Sequence, residues 1–165
     1  MKKQPWEMTR DEYNRTNKAD PDTEKVLWRG VNDDTGERHH VQGKGLYLTA
    51  DKEYAKRYGQ LVAYPLTAKP KNPLFVRSLQ DWEGWLCYQF VKVLGMKNIR
   101  EFYEKYPDPG EYVRSLGYDG VQICTGKDAI YVNYNYPSHK QLVQDAINQG
   151  EEVPEEVLQE YPDLL

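Results

Sequence analysis

The run Val26-Leu27-Trp28-Arg29-Gly30-Val31 carries an arginine inside what reads as a buried strand. A guanidinium there is costly unless an anion or a set of acceptors meets it. Two readings of Arg29 therefore stand side by side: an anchor for an anionic ligand, or a strand-end arginine paired with Asp33, Asp34 or Glu37. One loop later, Gly43-Lys44-Gly45-Leu46-Tyr47-Leu48-Thr49-Ala50-Asp51 places Tyr47 on a second short apolar run. Tyrosine offers a flat apolar ring with a polar end, which suits stacking and hydrogen bonding together and also suits a half-buried strand. Fourteen tyrosines against three phenylalanines make that choice a habit of this chain.

The elements that must position these residues read as a mixture of short strands and helices. Strands are predicted at Val26–Val31, at Leu46–Thr49, through Leu61-Val62-Ala63-Tyr64-Pro65-Leu66, at Leu74-Phe75-Val76, at Val121–Ile123 and through Ala129-Ile130-Tyr131-Val132-Asn133-Tyr134-Asn135. The polar, glycine-containing segment 32–45 between the first two is the kind of loop that lies over a site, with His39 and His40 as solvated loop residues. Thr9, three residues before Glu12, predicts a capped helix, and Ser138 before Gln141 predicts another. Thr49 or Asp51 caps a third, in which Tyr54 and Tyr58 share a face before Gly59 ends it. Trp82, Trp85, Leu86, Phe90 and Val93 fall at helical spacing over 81–95, and the segment 99–106 continues in the same mode. Those tryptophans read as core. A helix closed by Gly117 leads to a turn at Asp119-Gly120, and Cys124 to Asp128 read as a hairpin turn.

At 165 residues the chain is one domain, with residues 1–24 as an N-terminal helical extension, 25–136 as the main unit and 137–165 as a C-terminal helical appendage packed on it. The 22 Lys and Arg against 26 Asp and Glu give a net charge of -4, which argues against a protein that coats nucleic acid. No apolar run is long enough to span a bilayer, and no apolar segment follows the N-terminal lysines. Cys87 and Cys124 lack metal-ligand spacing and read as buried thiols of a reducing compartment; the three histidines form no metal pattern. The expectation is a cytoplasmic protein without a metal.

Taken in order, Leu27-Trp28-Arg29-Gly30, the glycine-spaced stretch 43–51, Asn72-Pro73-Leu74, Leu116-Gly117-Tyr118-Asp119-Gly120 and Ile130-Tyr131-Val132-Asn133-Tyr134 resemble the ADP-ribosyltransferase superfamily. The motifs around Trp28 and Tyr47 are similar to the poly(ADP-ribose) polymerase lineage, and the downstream ones to small domains of phages and mobile elements. The resemblance covers about 26–135. It implies an α+β fold with a split antiparallel β core and flanking helices, NAD as co-substrate without a metal, and transfer of ADP-ribose to a macromolecular acceptor, a protein, in a phage or bacterial cytoplasm.

It also implies roles for named residues. Arg29 would hold a phosphate or ribose hydroxyl of NAD, Gly30 would pair with the nicotinamide carboxamide, and Tyr47 would stack on the ring, with Thr49 and Tyr54 lining the same site. The chain departs from the family where the catalytic glutamate is expected. Ile130 takes that position, leaving Asp128, two residues earlier, as the candidate carboxylate and Gln122 on the preceding strand as the other candidate. A catalytically inactive module that binds NAD, a nucleotide or a protein partner is the competing expectation.

Overall fold

The computed structural model describes residues 1–16, 18–31 and 41–165. Among them six strands form one mixed sheet: β1 (Val26–Val31), β2 (Leu46–Thr49), β3 (Gln60–Pro65), β4 (Pro73–Val76), β5 (Gly120–Ile123) and β6 (Ile130–Asn133), in the order β3-β1-β2-β6-β5-β4. All neighbours are antiparallel except β4 and β5, so the fold is α+β with a mostly antiparallel sheet.

The sheet has a seam. Every residue of β1 pairs with β3, and every residue of β2 pairs with β6. Between β1 and β2 the ladder consists of one pair, Trp28 with Thr49. The hydrophobic core lies in two clusters on opposite faces of the sheet. Leu27, Val31, Leu46, Leu48, Val62, Tyr64 and Ala68 form one cluster; a larger one gathers Leu74, Val76, Trp82, Phe102, Val113, Val121 and Val132 with their neighbours. The junction is a single pair within one sheet, and the smaller cluster bridges it, since Leu27 and Val31 of β1 pack with Leu46 and Leu48 of β2.

The helices are set by their caps. Thr9 and Glu12 form a reciprocal capping box at α1 (Arg10–Arg15), Asp51 accepts from the Tyr54 N–H at the start of α2 (Lys52–Lys56), and Ser138 accepts from the Gln141 N–H at α6 (His139–Asn148). Gly59 ends the turn after α2 with φ +125°, a backbone conformation that a side chain resists. The two helical segments expected over 81–95 and 99–106 are both present. α3 (Leu79–Tyr88) passes into a π-helical turn at Gln89–Val93, Gly95 takes φ +66°, and Asn98 caps a separate α4 (Ile99–Lys105). Trp82 is 1% exposed and Trp85 packs on the same cluster, so both are core as expected.

α5 (Pro109–Ser115) begins at Asp108, whose Oδ1 accepts from the N–H groups of both Gly110 and Lys44 at 2.9 Å. Asp119 does more than turn the chain. Its carboxylate accepts from the N–H of Lys71 and of Asn72, holding β4 parallel to β5. The cysteines differ from expectation: Cys87 is exposed on α3, and Cys124 is only half-buried, at φ +64° just after β5.

The two terminal segments pack on each other. Val143, Val157 and Tyr161 make a third cluster with Trp6, Ile147, Val153 and Leu164, where α7 (Glu155–Leu158) contributes Val157. His139 joins the termini: its Nε2–H donates to the Pro5 carbonyl at 3.0 Å, its Nδ1 meets the Tyr161 hydroxyl at 2.7 Å, and Tyr13 stacks on its ring at 4.9 Å. Burial holds His139 below its ordinary value of 6.5, against the opposing pull of the Pro5 carbonyl and Glu160 and with the help of Arg10. The unfolded chain therefore binds the proton first as pH falls. The stability from the neutral imidazole is fully present above 6.5 and is lost as pH drops through the lower folded value. Thermal melts between neutral and mildly acidic pH are expected to show this loss, and His139→Gln is expected to flatten that dependence.

Candidate functional site

The site assembles where the β1–β2 ladder stops. Beyond Trp28 and Thr49, the residues Arg29, Gly30 and Val31 pair only with Val62, Leu61 and Gln60 of β3. Across from them Leu46, Tyr47 and Leu48 pair only with β6. Strand alternation then sets Gly30 and Tyr47 on the face of the Trp28–Thr49 pair and Arg29 on the face of Leu27 and Val31, so the sheet does not bring Arg29 and Tyr47 together in the one site expected of them.

Gly30 is fixed by packing. A Cβ built on it would lie 2.0 Å from the Ala55 carbonyl oxygen and 2.8 Å from Tyr58 Cβ, so α2 seats directly on β1 here. This glycine is bare because a helix covers it.

Arg29 is half-buried and has no hydrogen-bond or ion-pair partner among the described residues. Asp33, Asp34, Glu37, His39 and His40 lie outside the described residues. Its charge acts on three phenols. Burial raises Tyr13, Tyr47 and Tyr64 above their ordinary value, and the Arg29 guanidinium pulls each of them back. Tyr64 in turn meets Tyr136 edge-on at 5.8 Å and 80°. A guanidinium with five donors beside phenol groups can take a phosphate or carboxylate in a charge-assisted fork. Tyr13, Tyr64 and Tyr136 were not picked out from sequence. The excess of tyrosine over phenylalanine was their only signal, since they come from α1, β3 and the segment after β6.

Tyr47 lies within electrostatic reach of Arg29, yet its own contacts are internal. Its hydroxyl donates to the Gly43 carbonyl at 2.7 Å and accepts from the Gln42 N–H at 3.2 Å, while its ring packs on the larger core cluster. Tyr134 secures the same loop by donating to the Gln42 carbonyl. Gly43, at φ +109°, packs against the Cα of Gly110. Tyr47 thus supports the loop that enters β2.

Thr49 is buried and saturated. Its hydroxyl donates to the Ala129 carbonyl at 3.1 Å and accepts from the Asp51 N–H at 3.0 Å, so it is a tie between β2 and the turn before β6 rather than a ligand contact. Thr49→Val removes both bonds at nearly constant volume. Urea unfolding is expected to show a loss of about 1–3 kcal/mol, the cost of leaving a buried polar group unmet, with Thr49→Ser losing less.

Tyr54 and Tyr58 share a hydroxyl contact of 3.0 Å on the outer side of α2, and that bond, aided by burial, pushes Tyr54 up to about 12. Gln122 falls away from the seam. It pairs with Tyr131 and Phe75, separated from β1 by β2 and β6, and its carboxamide donates to the Cys124 carbonyl at 3.1 Å.

Asp128 also differs from expectation. It was placed on the strand face of Ile130 by alternation, but β6 begins only at Ile130 and Asp128 is exposed in a 3-10 turn, Gly126–Asp128, where period two does not apply. Its place is still adjacent: Ala129, the next residue, binds Thr49 and the Ala50 N–H, and Thr49 pairs with Trp28 at the closed end of the seam. Ile130 itself stands on the Thr49 rung, so β6 brings no carboxylate there.

Among the described residues no three of His, Cys, Asp or Glu stand together as a metal site, and no helix is long and apolar enough to cross a membrane. Compared with family models, curated proteins and solved structures, the chain matches none.

Proposed function

We propose that the protein binds NAD at the open end of the β1–β2 seam and transfers its ADP-ribosyl group to a macromolecular acceptor, a protein. The observation that carries this reading is Arg29, a half-buried guanidinium with no partner among the described residues, at the point where the ladder stops. A diphosphate would meet such a guanidinium with charge-assisted hydrogen bonds. Gly30 lies next to Arg29 in the chain, and its backbone, with no side chain in the way, is suited to pairing with a carboxamide.

In the transfer, the bond from nicotinamide to the ribose C1′ breaks and its electron pair leaves with nicotinamide. The acceptor nucleophile forms the new bond at C1′ and gives up its proton. The oxocarbenium-like state between needs negative charge close by, and Asp128 is the carboxylate adjacent to the closed end of the seam. Asp128→Ala is therefore expected to leave NAD affinity nearly unchanged and to lower the rate of transfer, because such a group meets charge only in the transition state.

One observation favours a second reading, binding without turnover: Asp128 is exposed in the turn and β6 brings no carboxylate to the Thr49 rung. Incubation with labelled NAD and a cell lysate separates the two. Label on a lysate protein supports transfer. Saturable NAD binding with no label and no free ADP-ribose supports the binding module, and free ADP-ribose alone indicates water as the acceptor.

A further inference from the structure

The N-terminal extension encloses a hollow of about 260 Å3 that no part of the proposed reaction uses. Lys2, Lys3, Pro5, Tyr13, Thr16 and Lys18 line it, with Gln4 and Met8 beside them. Its volume is several times the roughly 30 Å3 share of one water. Lys18 is the central group: half-buried, its ammonium sits 3.5 Å over the Tyr13 ring, whose other neighbour is the stacked His139. Lys3 at the rim is neutralised by Glu12 at 2.9 Å. Neither Lys2 nor Lys18 has a carboxylate partner among the described residues, so two like charges face one hollow without a counter-ion.

We infer that this hollow is a phosphate-binding site, with Lys18 as its principal cation, Lys2 as a second and Tyr13 as its floor. The site is separate from the Arg29 position, although Tyr13 touches both fields, and it does not rest on the NAD reading. Burial and then the charge of Lys2 hold Lys18 down to about 8. Among the described residues, Glu12 is held by Lys3 and by the Thr9 N–H at 2.8 Å, and Glu7 and Glu156 act on Lys3. A bound phosphate opposes the shift of Lys18, and its affinity falls as pH rises through about 8, where Lys18 loses its proton. The same phosphate chemistry is carried by a free diphosphate or by the end of a nucleotide.

Calorimetric titration of the full chain with inorganic pyrophosphate, and in parallel with ADP, tests the site. A saturable event is expected that persists in Arg29→Gln, apart from any diphosphate held at the seam. Lys18→Gln is expected to weaken it about tenfold or more, Lys18→Arg to keep it within about threefold, and Arg29→Gln to leave it within about twofold. Tighter binding of ADP than of pyrophosphate, equally sensitive to Lys18→Gln, identifies a nucleotide phosphate; equal affinities identify a free diphosphate, and both support the site. Absence of saturable binding, indifference to Lys18→Gln, or loss in Arg29→Gln alone overturns it. Lys18→Gln also gives up the ammonium contact with the Tyr13 ring, so urea unfolding of each variant beside the titration keeps loss of folding apart from loss of binding, with Lys18→Arg retaining the ring contact.

Discussion

Gly30→Ala is expected to destabilise the fold by on the order of 3 kcal/mol, at the upper end of what overpacking a tight site costs. The added methyl would stand 2.0 Å from the Ala55 carbonyl oxygen, and a backbone atom cannot rotate out of the way. Either α2 lifts from β1 or the strand bends at the point where its ladder with β2 ends. Gly84 gives the contrast within the same chain. It lies inside α3 with nothing within 4 Å of its added Cβ, so Gly84→Ala is expected to stabilise by about 0.5–1 kcal/mol through the gain in helix propensity. Parallel urea unfolding of the two variants checks both signs. A Gly30→Ala protein as stable as the parent would mean that α2 does not seat on β1.

Much of this framework was legible in the chain. The bounds of β1 and β2 follow from apolar runs ended by polar residues, and Thr9, Asp51 and Ser138 cap the helices that their spacing announces. The break between α3 and α4 is legible as well, between the segments 81–95 and 99–106. Phe90 and Phe102 both face the core, so the apolar period runs on while Gly95 and Asn98 redirect the backbone. The site was legible only in part. Arg29 can be suspected from its apolar flanks, but the hydroxyls of Thr49 and Tyr47 are engaged by Ala129, Asp51, Gln42 and Gly43, contacts that tertiary packing alone decides. Asp128 failed for a local reason: alternation was extended two residues past the start of a strand, into a turn.

The second large effect is expected at Arg29. Arg29→Gln should weaken NAD binding by about 1.5–3 kcal/mol, tenfold or more, the scale of a hydrogen bond to a charged group. Stability should change little, since the guanidinium gives up no hydrogen bond or ion pair among the described residues. Arg29→Lys should recover part of the affinity and not all of it, because an ammonium keeps the charge without the planar fork. Calorimetry with NAD, beside urea unfolding of each variant, separates an anchor from a structural arginine: the anchor loses affinity at constant stability, and the structural residue loses stability.

The most direct measurement is a titration of 15N-labelled full-length protein with NAD, followed by amide shifts. The seam account predicts saturable shifts centred on Arg29, Gly30 and Val31 of β1 and on Leu46 to Leu48 of β2, with the amides of β4 and of α4 unmoved. Shifts confined to β4, to α4 or to the terminal helices, or no shifts at saturating NAD, would contradict the assignment of the seam as the binding site.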